Sequence, residues 1–247
     1  MILGLSVFQF SVLALAAFIL GLSKSGIKGI SVIIVAMLVF IFGAKESTGI
    51  LLPMLIVGDI FAVIYYNRHA QWRFLWKLLP SMVVGVILGT WVGEIIPEEA
   101  FRKSMAAIIL ISIIMMVWWE RRASKTVPDN LGFASALGLT AGFTTMVGNL
   151  AGSFANLYFL AMRLPKNAFI GTTAWLFLII NVFKVPFHIF SWETINTDSI
   201  IISLITVPFI FLGLFTGVRI LKKVNEKMFR NFIFLATAVG AILIFFS

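Results

Sequence analysis

The 33 residues from Asn130 to Met162, NLGFASALGLTAGFTTMVGNLAGSFANLYFLAM, carry no charged side chain. A single helix of that length is far too long for a bilayer, because a spanning helix needs roughly 20 apolar residues, with a range of about 17 to 25. Two full crossings and a turn barely fit. A helical hairpin that dips partway into the membrane fits better, with GFTTMVGNLAG (142–152) near its tip.

The rest of the chain supports a membrane setting. Of 247 residues, 61% are hydrophobic and only 12% charged, against about a quarter charged in soluble domains. Apolar stretches recur from end to end at 2–22, 29–43, 48–66, 78–97, 104–119, 131–146, 149–162, 167–189, 199–219 and 229–247. These are ten candidate segments, two of them short, in an all-α polytopic membrane protein with no room for a soluble domain. Internal Gly and Pro do not disqualify a segment, since neighbouring helices satisfy the freed backbone groups. The first segment lacks a positively charged leader and a small-x-small cleavage site, so it reads as a retained span rather than a signal peptide.

The formal net charge is +9, but the basic residues lie in short clusters between apolar runs. They make no continuous face for nucleic acid. Thirteen of them, including Arg68, Arg73, Lys77, Arg121, Arg122, Lys125, Arg163 and Lys166, fall in alternate loops, against Lys45, Arg102 and Lys103 in the others. The positive-inside rule then places the richer loops in the cytoplasm and both termini outside, in the plasma or inner membrane.

The two halves echo each other. Pro80, Gly85, Gly89, Phe101 and Arg102 match Pro208, Gly213, Gly217, Phe229 and Arg230 at a constant offset of 128, and Gly49 and Asp59 match Gly171 and Asn181. The expected organisation is a first membrane repeat at 1–119, a cytoplasmic linker at 120–130 and a second repeat at 131–247. Segments 4 and 9 are equivalents separated by an odd number of segments, so the repeats are inverted. Inverted repeats are the architecture of many secondary transporters, which bind substrate near the midplane where the repeats meet.

GLSKSGIKG (21–29), STGILLPMLIVGDIFAVIYYNRHAQW (47–72), LLPSMVVGVILGTWVG (78–93), GFTTMVGNLAG (142–152) and KNAFIGTTAWLFLIINVFKVPF (166–187) together resemble the sulfite exporter TauE/SafE family. The resemblance runs over nearly the whole chain. It implies transport of small sulfur-containing or organic anions such as sulfite, sulfoacetate or related sulfonates.

The chemistry of the residues suits an anion independently. GFTTMVGNLAG has a counterpart in GLSKSGIKG, and paired Gly-interrupted segments at matching places in two halves point to a transporter's site. A helix starting after Gly29 and another starting near Asn149 each present free N–H groups and the positive end of a helix dipole. Ser23, Ser25, Thr144, Thr145, Asn149 and Ser153 add neutral donors, and Lys24 and Lys28 add charge. Close packing of Gly-rich turns and lysines snorkelling to an interface are the plainer explanation of the same residues.

Asp59 lies in the middle of segment 3 and Lys184 inside segment 8. A charge at that depth costs at least a few kcal/mol, so it faces a cavity or a partner. Lys184 is the expected anion ligand. Asp59, which aligns with Asn181, either pairs with Lys184 or carries a proton; a structural ion pair between the repeats is the alternative. His69 and His188 are expected to be solvated or interfacial, and Trp72, Trp76, Trp118, Trp119 and Trp192 to form an aromatic belt.

Other classes find little support. Cysteine is absent, which excludes disulfides and thiol chemistry, and the two histidines have no acidic partner at metal-ligand spacing. No His-Glu-x-x-His, Gly-x-Ser-x-Gly or Walker motif is present, so neither an intramembrane enzyme nor an ATP-driven pump is indicated and no cofactor is expected. A secondary transporter with a small anionic substrate is the leading reading, with a passive anion channel as the alternative. The expected partners are the lipid bilayer and protons as coupling ion, and a homo-oligomer is left open.

Overall fold

The computed structural model describes residues 4–26, 30–121 and 130–223. Among them are nine α-helices: α1 (Val7–Lys24), α2 (Ser31–Phe42), α3 (Ala44–Tyr66), α4 (Trp72–Ile95), α5 (Glu98–Arg121), α6 (Leu131–Gly148), α7 (Ala151–Ala161), α8 (Lys166–Phe190) and α9 (Thr197–Lys223), with a 3-10 turn at Asn67–His69. Lys28, most of the linker and the expected tenth segment lie outside the described residues.

Six of these helices, α1, α3, α4, α6, α8 and α9, are long and apolar enough to cross a bilayer. The short pair is different. α2 has 12 residues and α7 has 11, which at 1.5 Å per residue gives about 16 to 18 Å, roughly half of a ~30 Å hydrocarbon core. The expectation of ten membrane segments, two of them short, is therefore not met: the described residues hold six candidate spans. Several helices also begin well before their apolar runs: α4 at Trp72 rather than 78, and α5 at Glu98 rather than 104.

Local chemistry fixes the helix starts. Ser6 caps α1 with a reciprocal box, its Oγ accepting from the Gln9 N–H at 3.2 Å while its own N–H donates to Gln9 Oε1 at 2.9 Å. Asn130 caps α6 by accepting from the Phe133 N–H at 2.8 Å. Each cap satisfies donors that the first helical turn cannot pair internally.

The chain separates into two compact units, one made of the residues up to Gly58 and those from Val185 onward, the other of Asp59–Lys184. In the first, α1 packs along α9 and against α2. A Cβ at Gly21 would overlap the Ile210 carbonyl oxygen, and one at Gly213 the Phe18 carbonyl oxygen. The two backbones touch, which only residues without a side chain permit. In the second unit α4 packs along α6, and α5 and α7 lie against α6. There a Cβ at Gly142 would overlap the Met82 carbonyl oxygen and one at Gly85 that of Leu139.

The two crossings are built alike. Gly85 and Gly213 are 128 residues apart, as are Met82 and Ile210; Gly21 and Gly142 are 121 apart, as are Phe18 and Leu139.

Candidate functional site

α6 runs through Gly148 and stops at Asn149, whose φ of 57° and ψ of 30° put it in the left-handed region. The Asn149 N–H donates to Thr145 O at 2.9 Å, and the Leu150 N–H to Thr144 O at 3.2 Å. α7 begins at Ala151, and Leu150 offers its first turn no side-chain cap. The break is thus two residues long, and GFTTMVG belongs to the last turns of α6. Here the carbonyl end of one helix adjoins the N–H end of another, each carrying about half a unit charge of opposite sign.

Lys184 is fully buried and points into this break. Its Nζ donates to Thr145 O at 3.0 Å, to Thr145 Oγ1 at 3.2 Å and to Asn149 Oδ1 at 2.5 Å. An ammonium group has three donors and no acceptor, so neutral oxygens hold it in place while its charge also complements the carbonyl end of α6.

Three residues earlier on α8, on the same helical face, Asn181 Nδ2 donates to Asp59 Oδ2 at 2.7 Å. Both side chains are buried. This pair brings together Asp59 of the first sequence half and Asn181 of the second, at the aligned positions. The structure therefore gathers Thr145, Asn149 and Lys184 at one point and Asp59 with Asn181 at another.

The remaining candidates are placed less tellingly. Thr144 is buried, but its hydroxyl donates to Ala141 O at 3.2 Å, within its own helix. Ser153 sits in the first turn of α7, with its side chain outside the described set. In the other unit Ser23 and Ser25 are buried at the end of α1, and Ser25 Oγ donates to Leu22 O at 2.7 Å. The stem of Lys24 lies on Gly58, where a Cβ would come 2.7 Å from Lys24 Cγ. α2 does start just beyond Gly29, at Ser31, again without a side-chain cap.

His188 corrects the sequence reading. It is not solvated but fully buried, its Nδ1 2.8 Å from Thr194 Oγ1 and its ring edge-to-face with Trp192 at 5.1 Å. Trp192, expected in the aromatic belt, is likewise buried. A signal existed: His188 follows Lys184 by four residues and so continues the polar face of α8. His69, by contrast, is exposed as expected.

Among the described residues no cluster of three or more His, Asp or Glu could hold a metal. The profile of the sulfite exporter TauE/SafE family matches residues 13–244. No curated protein and no solved structure matches the chain. Six apolar helices long enough to span a bilayer, together with a family of transporters rather than enzymes, make this a multi-pass membrane transporter. The match covers nearly the entire sequence, and the protein belongs to the TauE/SafE family of sulfite exporters.

Proposed function

We propose that the protein is a secondary transporter that exports small sulfur-containing or organic anions, such as sulfite, sulfoacetate or related sulfonates. The observation that carries this reading is the buried ammonium of Lys184 at the break between α6 and α7. An oxyanion there meets a fixed positive charge and the uncapped N-terminus of α7 together. Both features favour an anion over a neutral solute. Membership of an exporter family counts against the passive channel.

Two inverted repeats of five segments, with α1–α2 and α6–α7 as the broken pairs, are the architecture we assign. The matched glycine crossings and the two short helices support it. Broken helices whose ends face the substrate, in repeats that exchange access to the two sides, are a recurrent transporter design. Lys184 and Asn149 bind the anion, Thr145 orients Lys184, and the Asp59–Asn181 pair one turn away carries the proton if protons are coupled. Export needs no such coupling: with the cell interior negative, the membrane potential favours it by about 2.3 kcal/mol per charge per 100 mV.

The test is a flux assay in proteoliposomes across sulfite, sulfate, sulfoacetate and simple carboxylates, with and without a pH gradient. Sulfur oxyanion flux that Lys184→Gln abolishes is the expected result. Absence of protein-dependent flux for every anion refutes the reading.

A further inference from the structure

Four helix ends meet at one end of the unit Asp59–Lys184: α3 and α7 stop there, and α4 and α8 start there. α3 runs antiparallel to α8, since Asp59 bonds to Asn181 while a Cβ at Gly171 would lie 2.5 Å from Tyr66 O. The chain therefore leaves α3 toward the start of α8, where the turn 67–71 is tied down. Ala70 N lies 3.2 Å from the same Gly171 position, and the Gln71 N–H donates to Thr172 Oγ1 at 2.8 Å. α4 then begins with Trp72 against Trp175, ring centroids 5.1 Å apart. α7 ends beside the first turn of α8, where Phe159 meets Phe169 edge-to-face at 6.3 Å.

This packing gathers basic side chains from turns far apart in sequence. Arg68 in the turn after α3 and Arg163 in the turn after α7 are both exposed, as is Arg73 in the first turn of α4. Neither stretch of chain brings a carboxylate with it: Asp and Glu are absent from 60–93 and from 130–192. Glu94, Glu98 and Glu99 belong to the opposite end of α4 and the start of α5.

Two further features distinguish this end. Trp72 and Trp76, one helical turn apart, are 42% and 59% exposed and stack at 6.4 Å; exposed indole rings of a membrane protein settle at headgroup level. Arg163 has a φ of 54°, in the position after a helix where glycine is usual because it adopts that conformation freely. Glycine would form the turn more readily, so what arginine adds is its guanidinium. That group binds phosphate through two parallel N–H···O bonds, and basic residues beside a bilayer attract anionic lipid.

We propose that this end of the unit binds the headgroup of an anionic phospholipid, with Arg68 and Arg163 on the phosphate and Trp72 and Trp76 against the glycerol and upper acyl region. The ligand is a component of the bilayer, distinct from the anion proposed at Lys184.

Native mass spectrometry of the full-length protein, released from nanodiscs of phosphatidylglycerol and phosphatidylcholine in equal parts, reads lipid retention directly. The wild type should keep phosphatidylglycerol in preference. Arg68→Gln and Arg163→Gly should each weaken that retention about fivefold, the equivalent of about 1 kcal/mol per basic residue. Arg163→Gly relieves the left-handed backbone, so it should melt near wild type. Arg102→Gln, exposed at the opposite end of α4, should retain the lipid as the wild type does. Equal retention of the two lipids, unaltered retention in both Arg68→Gln and Arg163→Gly, or an equal loss in Arg102→Gln overturns the site. Displacement of the lipid by inorganic phosphate also overturns it, because the ligand is then a soluble anion. So does a fall in anion flux caused by Arg68→Gln or Arg163→Gly in vesicles of phosphatidylcholine alone, which assigns the arginines to the transported substrate.

Discussion

The ammonium of Lys184 lies 3.0 Å from the carbonyl oxygen of Thr145, in the last turn of α6 before its break from α7. A cation thus occupies the carbonyl end of a helix break, and on the proposed reading an anion that joins it meets the first turn of α7, which no side chain caps. Replacing Lys184 with Gln keeps a donor for Thr145 and Asn149 but removes the charge. A lost charge-assisted hydrogen bond of about 1.5 to 3 kcal/mol corresponds to roughly a 10- to 150-fold fall in anion affinity. Flux should vanish while size-exclusion behaviour and melting temperature stay close to wild type; loss of folded protein would favour a structural role instead.

Asn149 separates backbone from side chain. Its φ of 57° costs most residues about 1 kcal/mol or more but costs glycine little. Asn149→Gly should therefore melt near wild type, and Asn149→Ala about 1 kcal/mol lower. Asn149→Asp should fold yet fail to transport, because its carboxylate sits on Lys184 in place of the anion. Thermal melts and flux measured on the three variants check the pattern.

Asp59 is held by Asn181 at 2.7 Å. If this pair carries the coupled proton, Asp59→Asn should retain downhill anion flux and lose its acceleration by an imposed pH gradient. An unaltered pH response in that variant assigns Asp59 to structure alone.

Gly142 faces backbone, since an added Cβ would overlap the Met82 carbonyl oxygen. Gly142→Ala should destabilise the protein by about 1 to 3 kcal/mol, the usual result of overpacking. Gly132 has nothing nearer than Asn130 Oδ1 at 3.6 Å, so Gly132→Ala should be neutral or stabilising by up to about 1 kcal/mol. Melting curves in detergent distinguish the two.

At the start of α5, Lys103 Nζ lies 2.7 Å from Glu99 Oε1, and that hydrogen bond holds the Glu99 carboxyl below the usual carboxylate range. Because the folded-state value is the lower one, the pair contributes above the ordinary carboxyl pKa and its contribution fades as pH falls through the lowered value. Both partners are exposed, and such i,i+4 surface pairs add little. Glu99→Gln should leave the melting temperature and the flux unchanged at neutral pH.

Hydropathy made the long helices legible, and the unbroken neutrality of 130–162 marked the pair that includes α7. It misplaced the start of α4 because hydropathy reports the part of a helix that avoids water, while the helix itself continues through Trp72, Arg73 and Lys77. Depth alone singled out Lys184 and Asp59, and repeat alignment made Asp59 and Asn181 equivalent positions, but that the two side chains meet was not legible. The contact of Lys184 with Thr145, 39 residues away, needed the fold. The burial of His188 was hinted at by its place on the Lys184 face of α8, but its contact with Thr194 needed the fold.

The unit Asp59–Lys184 is one continuous piece of chain, whereas the other unit is assembled from the two pieces that flank it. α4 therefore meets α6 early in synthesis, but α1 must wait for α9, which begins only at Thr197. Contacts so distant in sequence are slow to form. Until then the bare backbone around Gly21 faces lipid where Ile210 should be. The flanking unit is the last to form, and a chain stalled before α9 leaves the Gly21 face of α1 uncovered even with α2 in place, the kind of exposed surface by which membrane quality control recognises an unfinished protein.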